Sequence, residues 1–356
     1  MENKNYFKRV KNLRDQLNTI NLEEQNKKKA VRILITGAVG NIGYALTFQI
    51  AQGSMFGPNQ PVILHLFDIP QMADALNGLK MELFDGAFPL VKGIIATTKP
   101  EEAFLDLDYA IMCGARPRSK GMERKDLLEI NGKIFQEQGK YFEQYASRDV
   151  KVLVIGNPAN TNCLTLLKNA PSINPKNFTA LTRLDHNRMV AQLGERLHVK
   201  DVEKIKNGII WGNHSSTQFP HIDYAVYDDG NFEIPIVGLV NDKKWVEEEF
   251  IKTVQQRGAK IIEARKLSSA ASAASAACDH MRDWVNGTKE GTWVSMAVIS
   301  KGEYGAQKDV VFSFPVTCKN GEWTIVEGLK LSEFAVKKIE ETSKELKQER
   351  EMALGY

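Results

Sequence analysis

The sequence predicts an α/β protein: a Rossmann-type, doubly wound parallel sheet followed by an α+β substrate domain. Three observations carry that expectation. Short β-branched apolar runs alternate with helical patterns through the first half of the 356-residue chain. The runs are continuously apolar, as strands covered on both faces must be, and do not alternate with polar residues. Beyond about residue 180 the alternation gives way to long helical patterns and then a strand meander.

The first run, 31–36 (VRILIT), passes straight into a glycine turn and a helical pattern at 41–52. Run 62–67 (VILHLF) precedes a helix over 71–84, and runs 93–98 (GIIATT) and 109–114 (YAIMCG) precede a helix over 125–146. Runs 151–156 (KVLVIG) and 178–184 (FTALTRL) complete the series. Strand, helix, strand in succession gives right-handed crossovers and hence a parallel sheet. In the second half, 186–198 and 242–286 read as helices, the latter broken near Ser268; the Ala/Ser run 268–277 permits close helix packing. Runs 293–300, 309–316 and 322–327 read as antiparallel strands. Asn320-Gly321 between the last two marks a hairpin, because both residues tolerate positive φ. Residues 331–352 form a charged amphipathic terminal helix. The expected division is an extension over 1–29, a nucleotide-binding Rossmann domain over 30–180 and a substrate domain over 181–356.

Composition narrows the function classes. Lys plus Arg is 47 against 44 Asp plus Glu, a formal +3 that points neither to nucleic acid nor to a membrane surface. No uncharged apolar stretch is long enough to span a bilayer. Cys113, Cys163, Cys278 and Cys318 are far apart and form no CxxC pair or Cys/His cluster, so neither a disulfide framework nor a metal site is expected. Cys113 and Cys163 lie in apolar runs and read as buried thiols of a reducing compartment. Residues 1–29 lack the apolar segment of a secretory signal, and Phe7, Val10, Leu13, Leu17 and Ile20 would form one stripe on a short helix. Four acids (Glu2, Asp15, Glu23, Glu24) and the absence of serine before Ser54 argue against a mitochondrial presequence. A surface helix packed on the body or on a partner subunit is expected instead.

Four clusters carry chemistry. The turn after the first strand holds Gly37, Gly40 and Gly43, a GxxGxxG spacing that lets backbone N–H groups approach a pyrophosphate at a positive helix end. The second strand ends in Asp68, where an acid accepts hydrogen bonds from ribose hydroxyls and repels a 2′-phosphate, favouring NAD over NADP. The same glycine spacing fits short-chain dehydrogenases, but their Tyr-x-x-x-Lys pair is matched only by Tyr304 and Lys308, in a turn between strands, and reads as coincidence. The loop 114–126 (GARPRSKGMERKD) follows a strand's carboxyl end; Arg118 and Arg124 there either clamp a carboxylate and polarise a carbonyl or form a solvated basic loop. Asp185 and Arg188, three apart, share a helix face, which also suits a local ion pair with Asp185 as N-cap. His214, between Asn213 and Ser215, suits a proton donor oriented by a carboxylate.

Taken together these stretches resemble the NAD-dependent malate dehydrogenases of cytosolic type, within the lactate/malate dehydrogenase superfamily. The matching segments are TGAVGNIG, PVILHLFDI, GARPRSKGMERKDLL, VIGNPANTNCL, LTRLDHNR, WGNHSSTQFP and the late SMAVIS, YG and SFPV, over about residues 30–350. The resemblance implies that Gly37, Ala38, Val39, Gly40, Asn41, Ile42 and Gly43 form the pyrophosphate loop, with Asp68 at the ribose. It implies that Asn131 and Gln138 lie near the cofactor, with the backbone of Ile155, Gly156 and Asn157 against the nicotinamide ribose. His214 becomes the proton donor and acceptor, with Asp185 as its partner. Arg188 takes the distant substrate carboxylate, Arg124 the reacting carbonyl, Asn157 the substrate oxygen and Arg118 the second carboxylate, which separates malate from lactate. The Asn157-Pro158 bond is expected to be cis, and the loop 116–126 to close over the site. NAD, malate and oxaloacetate, a homodimer and a cytoplasmic location follow as expectations, the extension leaving a mitochondrial destination open. The rival readings are a lactate dehydrogenase on a malate scaffold, and a non-catalytic subunit that kept the fold.

Overall fold

The computed structural model describes residues 28–116 and 124–355, with the single positions 9 and 14. The expected N-terminal stripe and Arg118 lie outside the described residues.

The strand β1 (Val31–Thr36) sits inside a nine-stranded sheet. On one side it pairs with β2 (Val62–Phe67), which pairs with β3 (Val91–Thr97); on the other come β4 (Tyr109–Met112), β5 (Lys151–Val154) and β6 (Phe178–Ala180). All six are parallel, in the spatial order 3-2-1-4-5-6. Their side chains alternate between two buried layers: Ile33, Ile35 and Leu153 enter one, Leu34, Val152 and Val154 the other. Both faces are therefore apolar, which is why the strands read as continuous apolar runs. The crossover helices are α1 (Asn41–Ala51), α2 (Ala73–Asp85), the single turn α3 (Pro100–Ala103), α4 (Arg124–Tyr145) and α5 (Ala159–Lys168).

Two departures from the sequence reading matter for the site. The run expected as a strand over 178–184 leaves the sheet at Ala180, and α6 (Arg183–Leu197) has begun by Arg183. Asp185 is thus in the first turn of a helix, where the positive end favours a carboxylate. The region 205–235 holds five strands of two or three residues, β7 (Ile205–Lys206), β8 (Ile209–Trp211), β9 (Phe219–His221), β10 (Val226–Asp228) and β11 (Glu233–Pro235), in two small sheets. Segments so short carry no readable period.

The helical region 242–286 divides as its composition suggests. After α7 (Ile236–Val240), a π-helical turn at Trp245–Phe250 runs into α8 (Ile251–Arg265), which stops at Lys266 with a left-handed φ of 61°, and α9 (Ala271–Asn286) follows. The meander β12 (Val294–Ile299), β13 (Val311–Lys319) and β14 (Glu322–Ile325) is present, closed by Asn320 and Gly321 at φ 54° and 76°. It is not a separate layer: β12 lies antiparallel to β6, with Ala297 opposite Ala180, and extends the first sheet. The chain ends its described part in α10 (Glu333–Leu354).

Two histidines are locked inside this frame. His186, whose Nδ1 lies 2.9 Å from Ser295 Oγ, and His280, whose Nε2 lies 3.0 Å from Thr179 Oγ1, are both buried. Burial first, and the Arg183 charge second, push each imidazole down to about 3. The unfolded chain binds these protons from about pH 6.5 downwards while the fold resists them until about pH 3, so stability is complete above that window and lost as pH falls through it. Each group contributes a slope approaching about 1.4 kcal/mol per pH unit. Melting temperature against pH should fall more gently for His280→Leu than for the wild type; identical slopes would show that His280 titrates freely in the fold.

Candidate active site

The carboxyl ends of β1, β4 and β5 converge where the strand order reverses, the place at which open α/β sheets hold ligands. Thr36 Oγ1 accepts the Gly114 N–H at 3.1 Å, joining the ends of β1 and β4. Gly37 then turns with φ +61°, a left-handed conformation that suits glycine. Gly43 packs so tightly that a Cβ there would lie 2.3 Å from the Gly37 carbonyl oxygen. α1 opens after Gly40 without any side-chain cap, so its first N–H groups are left for an anion. Beside them, Asp68 accepts the Val39 N–H at 3.2 Å on one oxygen and its neighbour Ile69 N–H at 2.9 Å on the other. A glycine cradle, an uncapped helix end and a partly exposed carboxylate at the end of β2 fit a dinucleotide.

The turn after β5 is held from two directions. The N–H groups of Ile155 and Gly156 both donate to the Met112 carbonyl at 3.0 Å. Asn131, fully buried on α4, accepts the Arg116 N–H at 2.7 Å and donates to the carbonyls of Arg116 and Asn157 at 3.1 and 2.8 Å. Asn131 therefore staples the stem of the basic loop to the Asn157 turn. Gln138, two turns along the same helix, is buried, and its Oε1 has no hydrogen-bond partner among the described residues. Asn157 is exposed, and the Asn157-Pro158 bond is cis, as expected.

The chemical centre is Asp185, which has no exposed surface. One carboxylate oxygen bonds His214 Nδ1; the other accepts from Arg188 Nη1 at 3.1 Å. Burial pushes the Asp185 carboxyl up, but the His214 charge and hydrogen bond, with Arg188 and Gln218, outweigh it and hold the group below the ordinary carboxylate range. The N-cap of α6 is Thr182, not Asp185, whose side chain is turned to His214. Binding at Nδ1 leaves Nε2 as the nitrogen available to a reacting group. Arg188 is nearly buried and its Nη2 lies 3.2 Å from Ser269 Oγ, so α6 and the approach to α9 fix the guanidinium together.

The mount for His214 escaped the sequence reading. α10 presents Thr342, Glu345 and Glu349 to the 213–217 segment. Thr342 Oγ1 accepts the Asn213 N–H at 2.9 Å; Glu345 Oε2 accepts from Asn213 Nδ2 at 2.9 Å and from Thr217 Oγ1 at 2.7 Å. Glu349, 1% exposed, accepts from Asn213 Nδ2 at 3.1 Å and from Thr161 of α5. A signal was available: Ala335, Ile339 and Leu346 make a buried helical stripe, and Thr342 and Glu349 fall on it. The Tyr304 of the short-chain pattern packs on Trp211, ring centroids 4.9 Å apart, and serves the core. Arg118 lies outside the described residues; Arg124 is the first residue of α4, and its side chain lies outside them too.

Sheet order, glycine cradle and buried Asp–His pair define a dinucleotide-dependent oxidoreductase of the Rossmann type. Residues 31–179 match the family model of the lactate/malate dehydrogenase NAD binding domain, and residues 182–355 that of the lactate/malate dehydrogenase alpha/beta C-terminal domain. The chain belongs to the lactate/malate dehydrogenase family, and its dinucleotide is NAD. It is 56% identical over 326 residues to a malate dehydrogenase of Nicotiana tabacum, and 55% identical over 326 residues to the cytoplasmic malate dehydrogenase 1 of Arabidopsis thaliana; each match covers 92% of this chain and 98% of the relative. Among solved structures, malate dehydrogenase of Naegleria fowleri aligns with a TM-score of 0.87 at 44% identity, covering 92% of this chain and 99% of that one. A Trichomonas vaginalis lactate dehydrogenase in complex with NADH and oxamate aligns with a TM-score of 0.87 at 40% identity, covering 92% and 98%.

The cradle makes its own prediction. In Gly43→Ala the added methyl must displace the Gly37–Ala38 backbone, because the nearest atoms are main chain. The expected result is a loss of about 1–3 kcal/mol in stability together with NADH affinity weakened at least tenfold. Calorimetry and NADH fluorescence titration check it; unchanged affinity in a folded variant would remove this turn from the nucleotide site.

Proposed function

We propose that the protein catalyses the reversible NAD-dependent oxidation of (S)-malate to oxaloacetate. The observation that carries the reading is the single buried carboxylate of Asp185 shared by His214 and Arg188. It couples a proton-transfer group to a carboxylate-binding cation in one hydrogen-bonded unit.

The proposed roles follow from residue chemistry. The 37–43 loop would hold the pyrophosphate, Asp68 the ribose, and Asn131, Gln138 and the Ile155–Asn157 turn the nicotinamide side. When bound, NAD supplies the hydride acceptor for oxidation and, reduced, the donor for the reverse reaction. His214 takes the C2 hydroxyl proton at Nε2, and Asp185 stabilises the imidazolium that results. Arg188 offers a planar fork to the C1 carboxylate, a geometry lysine lacks. Arg124 and Asn157 would stabilise negative charge developing on the C2 oxygen, and Arg118 would meet the second carboxylate. Closure of the 116–126 loop would exclude water.

Malate is favoured over lactate by charge. The fold does not separate the two, since a lactate dehydrogenase is among the similar structures. The loop after β4 carries Arg116, Arg118, Lys120 and Arg124, more cationic charge than a monocarboxylate needs. The non-catalytic reading is disfavoured by an assembled Asp185–His214 pair, which a scaffold does not require. A boundary near residue 180, separating 30–180 from 181–356, is supported by family models that meet there. A homodimer is supported by exposed apolar residues on and around α1 and α2: Tyr44, Ile69, Met72, Met81 and Phe84. A cytoplasmic location agrees with the named compartment of relatives at 55% identity.

The test is substrate preference. Oxaloacetate and pyruvate present the same carboxylate and carbonyl and differ at C3, where oxaloacetate carries a second carboxylate. In a closed site pyruvate would leave Arg118 without a partner, a penalty of about 3–5 kcal/mol, or more than a hundredfold. The wild type should reduce oxaloacetate with NADH and barely reduce pyruvate; Arg118→Gln should collapse the first activity and raise the second. Equal use of the two substrates by the wild type, or an unchanged ratio in Arg118→Gln, would overturn the malate assignment.

A further inference from the structure

We infer that Asn160 is a positioning residue for His214: one buried amide grips the peptide groups around the histidine and sets where its imidazole sits. The inference rests on the reading of His214 as proton donor and acceptor, and adds to that site a residue which touches neither substrate nor cofactor.

Asn160 is the second residue of α5, two beyond Pro158, and has no exposed surface. Its Oδ1 accepts the His214 N–H at 3.0 Å. Its Nδ2 donates to the Gly212 carbonyl at 3.2 Å and to the Val311 carbonyl of β13 at 2.9 Å. A primary amide offers two N–H groups and one carbonyl, and all are engaged. The amide has one workable orientation: turned over, it would set NH2 against the His214 N–H and its oxygen against two carbonyls. No apolar residue and no carboxylate of the same size satisfies that set.

The three partners lie in two separate parts of the chain, the 212–214 segment and β13. Gly212 is bridged to Ser313 by two backbone bonds of 3.1 and 3.0 Å, so the segment before His214 is already tied to β13. Asn160 adds a direct tie from α5, and makes it at the histidine itself. The same helical turn carries Asn162, whose Nδ2 donates to the Gly156 carbonyl at 2.9 Å. The first turn of α5 therefore holds the 155–157 turn with one asparagine and the histidine segment with the other. The two sides of the reacting centre are referenced to a single helix end. Asp185 fixes the ring at Nδ1 from α6, while Asn160 fixes the main chain from α5. With either anchor gone the imidazole keeps its chemistry and loses its place, and a misplacement on the order of 1 Å lowers a reaction rate about a hundredfold.

The experiment measures kcat, the NADH dissociation constant and the downfield Nδ1–H proton resonance of His214 in full-length Asn160→Ala, with Asn160→Ser, whose hydroxyl retains one bond, as the milder variant if the alanine does not fold. His214→Asn identifies the resonance and tests the underlying reading. Expected are a kcat lowered roughly 30- to 100-fold in Asn160→Ala and less in Asn160→Ser, NADH affinity within about twofold of wild type, and a shifted or missing Nδ1–H signal. A folded variant with kcat within about threefold of wild type overturns the inference. So does a loss of kcat matched by an equal loss of NADH affinity with the Nδ1–H resonance unmoved, because that pattern belongs to a merely structural residue. If His214→Asn itself turns over normally, the reading of His214 fails and the inference falls with it; if only the Asn160 variants do, the inference alone fails.

Discussion

The site depends on one charge placed where water cannot reach it. A carboxylate with no exposed surface is tenable only if cations and donors replace its hydration. Asp185 has a partner on each oxygen, and in the proposed reaction the imidazole of one moves a proton while the guanidinium of the other holds a carboxylate. The need to satisfy Asp185 therefore fixes the relative placement of His214 and Arg188 before any substrate arrives. Removing either partner would leave a buried charge half paired, so positioning and folding are bound together here.

Around that charge the fold supplies supports that are themselves buried and polar. α10 brings Thr342, Glu345 and Glu349 beneath the 213–217 segment, and Asn160 grips the same segment from α5. On the nucleotide side the pattern repeats with a neutral amide, Asn131, joining the stem of the basic loop to the Asn157 turn. The sheet explains how parts so distant in sequence meet. β12 lies against β6, so the first-half strands and the late meander share one frame, and the histidine segment bridges to β13 through Gly212 and Ser313.

Much of this was legible in the sequence, for identifiable reasons. Continuous apolar runs such as VRILIT mark strands buried on both sides, and Ile33 and Leu34 do enter opposite layers. Asn320-Gly321 marked its hairpin because positive φ is rare for other pairs. The spacing of Asp185 and Arg188 foretold their contact, since a helix places residues three apart side by side. What was not legible depends on long-range placement. The pairing of Ala297 with Ala180 leaves no local trace, and five strands of two or three residues have no period to read. Asn160 looks like an ordinary polar residue near a loop until the chain folds, and Asn131, expected near the cofactor from the resemblance, shows the backbone groups it serves only in the fold. Glu349 was visible in principle, as an acid on the apolar stripe of α10.

The central claim is that Asp185 sustains a proton on His214 that is coupled to the oxidation state of the substrate. The most direct measurement is the pH dependence of affinity for the two substrates in complex with cofactor, oxaloacetate with NADH and malate with NAD. Oxaloacetate needs a protonated imidazole to donate to its carbonyl, whereas malate needs a neutral one to accept from its hydroxyl. The account predicts that oxaloacetate affinity falls and malate affinity rises as pH increases. Parallel slopes, or two flat profiles, would contradict it, since binding would then be indifferent to the proton that Asp185 is held in place to stabilise.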